Sequence, residues 1–228
     1  MIEEVEKEGE VGIHRMPVTF SSYHAVIEPE GDFDTPPALL ITTHGYGQSC
    51  KGFIKNFEAL RKQNVLIIAP QGINQFYWKN GRPGFSWMTS HMRDYTIQDN
   101  IVYMGQLVES VRERYTFDGD RIFMLGFSQG VAMAFRTAAA GHVEPRGVIA
   151  CGGDLPPDVH DMLFRLEPFD TLVVHGTEDD VVKTEKGEEC VSILKEFDFP
   201  VESHFFEGGH DIPDDVVTFI GEWITARL

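Results

Sequence analysis

Short apolar runs alternate along the chain with longer segments in which apolar residues recur at helical spacing. Uninterrupted apolar runs predict buried strands, and apolar stripes predict helices that pack against them. The predicted strands cover residues 16–20, 23–28, 39–43, 65–69, 121–127, 147–150, 171–174 and 201–206. The predicted helices lie around residues 53–60, 97–111, 129–139, 186–197 and 215–227. This alternation favours an α/β protein whose twisted, mostly parallel central sheet carries helices on both faces.

A single domain is predicted to cover residues 1–228, because no repeat, low-complexity tract or linker interrupts the pattern. We expect residues 1–10 to form a flexible acidic segment. Residues 70–94 are rich in aromatic residues and turn formers and are predicted to be a long irregular stretch. No insertion is long enough for a large cap domain. Ligands of such sheets bind at the carboxyl ends of the strands, so the site should lie there and be fairly open.

The chain is strongly acidic, with 36 acidic residues against 19 basic ones and a formal net charge of -17. Such a field repels nucleic-acid phosphates and anionic lipid headgroups, so neither is an expected partner. The N-terminus has no signal-peptide pattern, and no apolar run approaches the roughly 18 residues of a membrane span. Three scattered cysteines without CxxC spacing argue against a disulfide framework and a zinc site. We therefore expect a cytoplasmic protein.

The pentapeptide Gly126-Phe127-Ser128-Gln129-Gly130 lies between a predicted strand and a predicted helix. A random chain of this length contains the Gly-x-Ser-x-Gly pattern about one time in ten, but this strand-to-helix context is far rarer. In this context the pattern is typical of the nucleophile of an α/β-hydrolase. A sharp turn brings backbone segments close together, which calls for glycine on both sides. Ser128 is therefore the predicted nucleophile.

A serine nucleophile needs a histidine base and an acid that orients it, and in this fold the chain order is serine, acid, histidine. His210 fits the base, since it follows Gly208-Gly209 in a loop between the last strand and the last helix. His175 and His204 lie instead within or at the end of strands. The acid is expected in the loop after the preceding strand, where Glu178-Asp179-Asp180 offers three carboxylates. The pattern alone does not choose among them.

Five motifs together are similar to those of the phospholipase/carboxylesterase family of α/β-hydrolases, over nearly the whole chain from about Leu39 onward. They are His44-Gly45-Tyr46-Gly47, Ala69-Pro70-Gln71, Gly126-Phe127-Ser128-Gln129-Gly130, His175-Gly176-x-x-Asp179-x-Val181-Val182 and Gly208-Gly209-His210. This family includes bacterial carboxylesterases and acyl-protein thioesterases. The resemblance implies a catalytic triad of Ser128, Asp179 and His210. It also implies that the backbone N–H groups of Tyr46 and Gln129 form the oxyanion hole, with His44 fixing their loop.

Three departures from the family bear on the substrate. Gln48-Ser49 follows the first motif where an acidic residue is frequent, and Asp180 follows Asp179 where proline is frequent. The stretch from Asn74 to Arg93 is longer and more aromatic than expected of an acyl-protein thioesterase. These differences favour small acyl groups over lipidated proteins or phospholipids as substrates.

The sequence thus predicts a serine carboxylesterase for small or short-chain acyl groups that uses a small-molecule ester and neither metal nor organic cofactor. The predicted substrate-binding residues are Phe76, Trp78, Trp87 and Met88. The alternative is that these aromatic residues only pack their own loop. The triad also suits a thioester or lysophospholipid, a lactone or a peptide, and a catalytically silent fold used for binding is a further alternative. The sequence leaves a homodimer open.

Overall fold

Eleven strands and six α-helices make up the computed structural model of the protein, which describes residues 3–8 and 11–228. The strands are β1 (Glu3–Glu8), β2 (Val11–Arg15), β3 (His24–Ile27), β4 (Ala38–Thr43), β5 (Val65–Pro70), β6 (Asn74–Tyr77), β7 (Pro83–Ser86), β8 (Ile122–Phe127), β9 (Gly147–Cys151), β10 (Asp170–Gly176) and β11 (Val201–Phe206). The α-helices are α1 (Cys50–Phe53), α2 (Arg93–Arg114), α3 (Gln129–Ala139), α4 (Pro157–His160), α5 (Thr184–Glu196) and α6 (Asp214–Thr225). Two 3-10 helices cover Ile54–Gln63 and Leu163–Arg165.

Seven strands form the central sheet in the order β11-β10-β9-β8-β4-β5-β3. All neighbours in this sheet are parallel except β3, which pairs antiparallel with β5. The predicted mostly parallel sheet is therefore confirmed. The pairs β1–β2 and β6–β7 form two separate antiparallel hairpins.

Helices cover both faces of the central sheet because successive side chains of each strand point to opposite sides. Along β4, Leu39 and Ile41 join the cluster that includes Phe135 of α3, with further members from α2 and α5. Leu40, between them, joins the opposite cluster, which includes Phe57 of the first 3-10 helix and residues of α6. No helix in the described ranges combines the length and apolarity that a membrane crossing requires.

The N-terminal region differs from its prediction. Residues 16–20, predicted as a strand, are exposed and outside any strand, while β2 lies just before them and pairs with β1. Pro17 lacks the N–H group that a sheet ladder needs, so apolar alternation is not enough here. Residues 3–8, part of the segment expected to be flexible, form β1, because main-chain pairing does not require apolar side chains. The flexibility of this segment stays a prediction. Residues 1, 2, 9 and 10 lie outside the described residues.

The aromatic stretch at residues 70–94 was expected to be irregular, but it contains the β6–β7 hairpin. Its turn passes through Asn80-Gly81, with Gly81 at φ 76°. Asn-Gly between two strands is a strong hairpin signal, because glycine adopts positive φ without steric cost. The hairpin was therefore readable from the sequence.

The carboxyl ends of β4, β8, β10 and β11 lie along one edge of the central sheet, because these strands are parallel. The segments that follow them carry His44, Ser128, Asp179 and His210, respectively. The fold therefore gathers the predicted site residues at the edge where ligands of such sheets bind.

Candidate active site

Ser128 occupies a strained turn between β8 and α3, with φ 54° and ψ -121°. Non-glycine residues rarely adopt positive φ, and such strain concentrates at functional sites. A side chain at Gly126 would place its Cβ 2.5 Å from the Val131 backbone, and one at Gly130 would lie 2.0 Å from Thr43 O. Both distances are too short for any Cβ. The two glycines therefore permit the turn that leaves Ser128 partly exposed above the sheet.

His210 and Asp179 form a hydrogen-bonded pair, with His210 Nδ1 2.7 Å from Asp179 Oδ2. Since the carboxylate accepts, Nδ1 carries the proton and Nε2 is left with a free lone pair. The other carboxylate oxygen accepts the N–H groups of Val181 at 2.9 Å and Val182 at 2.8 Å. Asp179 is buried, whereas the neighbouring Asp180 is exposed. The structure thus brings Asp179, and not Asp180, to the imidazole.

Burial alone would raise the pKa of Asp179, because a carboxylate is poorly solvated in the interior. The hydrogen bond from His210 and those from the Val182 and Val181 amides outweigh burial and hold this pKa below its ordinary value. The acid is therefore ionised at neutral pH and is oriented by three donors.

The His210 ring lies next to the serine turn. It packs against Phe127, the residue before Ser128, with ring centroids 4.8 Å apart. A Cβ at Gly152 would lie 3.4 Å from His210 Nδ1, and one at Gly153 would lie 2.8 Å from Ser128 O. The Ser128 hydroxyl makes no hydrogen bond to any described residue. Such bonds are often long in free enzymes and tighten when substrate binds.

His44 anchors the loop after β4 from a fully buried position. Its Nε2 accepts from the amide of Gly72 at 3.0 Å and from the side-chain amide of Gln71 at 2.9 Å, so Nδ1 donates to Gly45 O at 2.8 Å. Burial lowers the pKa of His44 to about 4, although the hydrogen bond to Gly45 opposes the shift. A neutral His44 therefore holds the loop in one shape.

This buried histidine makes a testable contribution to stability. Its folded pKa of about 4 lies below the unfolded value of 6.5, so the unfolded chain binds more protons between these values. His44 therefore stabilises the fold fully above pH 6.5, and this stabilisation is lost as pH falls towards 4. We expect the free energy of unfolding to fall by roughly 2–3 kcal/mol through this group between about pH 7 and about pH 4.5.

Urea denaturation near the two pH values measures this effect. His44→Asn should lose that part of the pH dependence, whereas the exposed His91→Asn control should keep the wild-type dependence. An unchanged pH dependence in His44→Asn would contradict the assignment.

The loop after His44 lies beside the serine turn and is held by hydrogen bonds of its backbone amides. The Gly45 amide donates to Gln48 Oε1 at 2.8 Å, and the Gly47 amide donates to Phe85 O at 2.7 Å. A Cβ at Gly45 would lie 3.3 Å from Ser128 Cβ, which puts the loop against the serine turn. The amide oxygen of Gln48 thus accepts a hydrogen bond within this loop. Tyr46 lies between the two anchored amides.

The side chain of Gln129 ties the hairpin segment to the serine turn. Its Oε1 accepts the Trp87 amide at 3.0 Å, and its Nε2 donates to Met88 O at 3.2 Å. The indole N–H of Trp87 in turn donates to His44 O at 2.7 Å. Trp87 is 0% exposed and Met88 5%. The structure therefore places these two predicted substrate-binding residues in the core, where they support the loops of the site.

Phe76 and Trp78 take a different position and form, with the side chain of Tyr46, a cluster that we call the aromatic platform; Tyr46 and Trp78 are exposed, and Phe76 is half-buried. The ring centroids of Tyr46 and Phe76 are 4.9 Å apart and stacked, and those of Phe76 and Trp78 are 5.2 Å apart. A Cβ at Gly47 would lie 2.4 Å from the Trp78 ring, so only glycine allows this packing. The hairpin is thereby fitted closely to the loop after β4.

A metal site was not expected. Among the described residues, no group of three or more His, Cys, Asp or Glu side chains is placed to hold a metal ion.

Comparison with known proteins identifies the family and the fold of this chain. The family model described as Phospholipase/Carboxylesterase matches residues 22–228. The chain belongs to this family. Its members are serine hydrolases that act on ester bonds, so the protein is an enzyme of this class. The resemblance inferred from the five sequence motifs is confirmed.

Individual relatives are distant in sequence. The acyl-protein thioesterase 1 homolog 1 of Dictyostelium discoideum is 27% identical over 217 residues, which cover 86% of this chain and 93% of the relative. The structure of esterase PE8 superposes with a TM-score of 0.74 at 19% identity, covering 92% of this chain and all of that one. The Bacillus cereus carboxylesterase gives a TM-score of 0.69 at 18% identity, covering 91% and 95% of the two chains. These structures confirm the α/β-hydrolase fold.

Proposed function

We propose that the protein is a serine carboxylesterase that hydrolyses esters of small or short-chain acyl groups through Ser128, His210 and Asp179. The observation that carries this proposal is the 2.7 Å hydrogen bond between His210 and the buried Asp179, next to a strained serine turn. This arrangement leaves His210 Nε2 unprotonated, with a lone pair that can accept the proton of the serine hydroxyl.

In the proposed reaction, Ser128 Oγ attacks the acyl carbonyl while His210 Nε2 takes its proton. Asp179 stabilises the imidazolium that forms. His210 then protonates the leaving alcohol, and the C–O bond breaks to leave an acyl-serine ester. Water attacks this ester with His210 again as base, which releases the acid and restores the Ser128 hydroxyl.

We further propose that the amides of Tyr46 and Gln129 bind the oxyanion of each tetrahedral intermediate. Gln129 is the first residue of α3, and the first amides of a helix lack intrahelical acceptors. The anchored amides on either side of Tyr46 fix its orientation. Each such donor typically contributes about 3 kcal/mol to transition-state stabilisation.

The preference for small acyl groups is supported by the surroundings of the aromatic platform. Trp87 and Met88 fill the interior beneath the hairpin, so no acyl chain can occupy that space. We propose that Phe76 and Trp78 contact the substrate at this surface.

A panel of ester substrates tests this proposal by varying acyl and alcohol length independently. We expect kcat/KM to be highest for acyl groups of about two to four carbons and to fall as the chain lengthens, because the platform offers a short apolar surface. Trp78→Ala should lower kcat/KM for the preferred esters about tenfold, since a large aromatic contact is lost. Tyr77→Ala is the matched control, because Tyr77 neighbours Trp78 on the hairpin but lies outside the platform. The control should leave the chain-length profile unchanged.

A thioester function is the second candidate, and it is favoured by the Dictyostelium relative, which is named as an acyl-protein thioesterase. Matched oxygen and sulfur esters of the same acyl group separate the two. Preference for long-chain thioesters or lysophospholipids would contradict the proposed function, as would identical profiles in Trp78→Ala and the wild type. A cytoplasmic location and a homodimer stay predictions.

A further inference from the structure

His175 is a histidine at the site edge for which the proposed reaction has no use. It lies near the end of β10, is 0% exposed, and belongs to the motif shared with the family. Its Nε2 is 2.8 Å from Val182 O and 3.3 Å from Asp179 Oδ2. The ring therefore lies directly beside the proposed catalytic acid, on the side away from solvent.

The surroundings of the ring assign its proton. Both neighbours of Nε2 are acceptors, so this nitrogen carries the hydrogen and donates to Val182 O. The other nitrogen, Nδ1, is buried and has no hydrogen-bond partner within residues 3–8 and 11–228. Leaving a buried polar atom unpaired costs stability, so an apolar side chain would fit this half of the pocket better. The Nε2–H group is what distinguishes histidine from such a side chain.

Helix α5 makes room for the imidazole. A Cβ at Gly187 would lie 2.7 Å from His175 Nδ1 and 3.2 Å from its Cγ. The absence of a side chain at this helical position therefore lets the ring fit between α5 and the acid loop, which we define as residues 177–183. The ring is held in one orientation by close packing.

We propose that His175 is a positioning residue that holds Asp179 in its catalytic orientation. The bond from Nε2 to the Val182 carbonyl restrains Val182, the residue whose backbone N–H donates to Asp179 Oδ1 at 2.8 Å. His175 Nε2 itself lies 3.3 Å from Asp179 Oδ2, the oxygen that accepts from His210. His175 thus constrains both oxygens of the carboxylate, one through Val182 and one directly.

Two amide substitutions test this role, which rests on the proposed triad. The amide nitrogen of glutamine reaches about as far from the backbone as histidine Nε2, whereas that of asparagine reaches only as far as Nδ1. His175→Asn should lower kcat about tenfold and leave KM within about twofold, because the acid loses a positioning bond. His175→Gln should keep kcat within about threefold of the wild type. Equal losses in both variants, or no loss in either, would overturn the proposal.

Asp179→Asn separates failure of this inference from failure of the triad. If Asp179→Asn keeps wild-type kcat, the proposed function itself is wrong. If it loses activity, adding His175→Asn should lower kcat by less than about twofold more, since both changes act on one group. A further tenfold loss in the double variant would show that His175 acts elsewhere.

Gly187→Ala provides an independent test should His175→Asn fail to fold, which thermal unfolding measures. The added methyl group displaces the ring without removing its N–H group. We expect a several-fold lower kcat at unchanged KM, while the exposed Ser192→Ala on the same helix stays at the wild-type rate. Wild-type kcat in a folded Gly187→Ala protein would also overturn the proposal.

Discussion

Ser128→Ala is expected to lower kcat on the preferred ester by about six orders of magnitude. The loss follows because no other hydroxyl in the turn between β8 and α3 can form the acyl-enzyme, so catalysis by the oxyanion hole and binding alone would remain. Alanine differs from serine only in lacking the hydroxyl group, so it fits the same turn. The free energy of unfolding should therefore change little.

The measurement is steady-state hydrolysis together with mass spectrometry after treatment with a fluorophosphonate. The wild type should gain one adduct on Ser128, and Ser128→Ala should gain none. Ser192→Ala, an exposed serine on α5, is the control and should match the wild type in rate and labelling. A Ser128→Ala rate within tenfold of the wild type would show that Ser128 is not the nucleophile.

Asp179→Asn is expected to lower kcat by about ten-thousandfold while the fold is retained. The backbone amides of Val181 and Val182 can still donate to the side-chain oxygen of asparagine. The side-chain NH2 group would then face His210 Nδ1, which forces the imidazole proton onto Nε2. A protonated Nε2 cannot accept the serine proton.

The neighbouring carboxylate supplies the control for this prediction. Asp180→Asn removes the same charge one residue away, from an exposed side chain, and should keep kcat within about twofold. Both rates are measured near neutral pH, where the lowered pKa of Asp179 keeps the wild-type acid ionised. Equal effects of the two substitutions would mean that loop charge, and not orientation of His210, is what matters.

The central sheet and the arrangement of its edge could be predicted from the sequence because both depend on local signals. Buried parallel strands appear as uninterrupted apolar runs, and the strained turn at Ser128 requires glycine at fixed positions. His210 could be predicted as the base because it lies in the loop after the last strand. The pattern did not separate Asp179 from Asp180, because burial of one carboxylate depends on how β10, β11 and α5 pack together. The family resemblance made that choice, and the geometry agrees with it.

The roles of the aromatic residues could not be predicted, because they depend on contacts between distant parts of the chain. Trp87 and Trp78 look alike in the sequence, yet one is buried under the loop after β4 and the other is exposed on the hairpin. Trp87 differs from Trp78 because its indole N–H donates to His44 O, which holds the ring under this loop. Residues 16–20 were predicted to be a strand, but in the structure they are exposed and lie outside any strand.

The side chain of Gln129 has a consequence for anyone who wishes to alter substrate preference. Its amide group holds Trp87 and Met88, while its backbone begins α3 beside Ser128. We expect a replacement there to loosen the segment that follows the hairpin and to disturb the start of α3, so that substrate range and catalytic rate change together. The hairpin turn at residues 79–82 has no such link to the serine. We expect substitutions confined to that turn to change substrate preference while the proposed catalytic residues keep their positions.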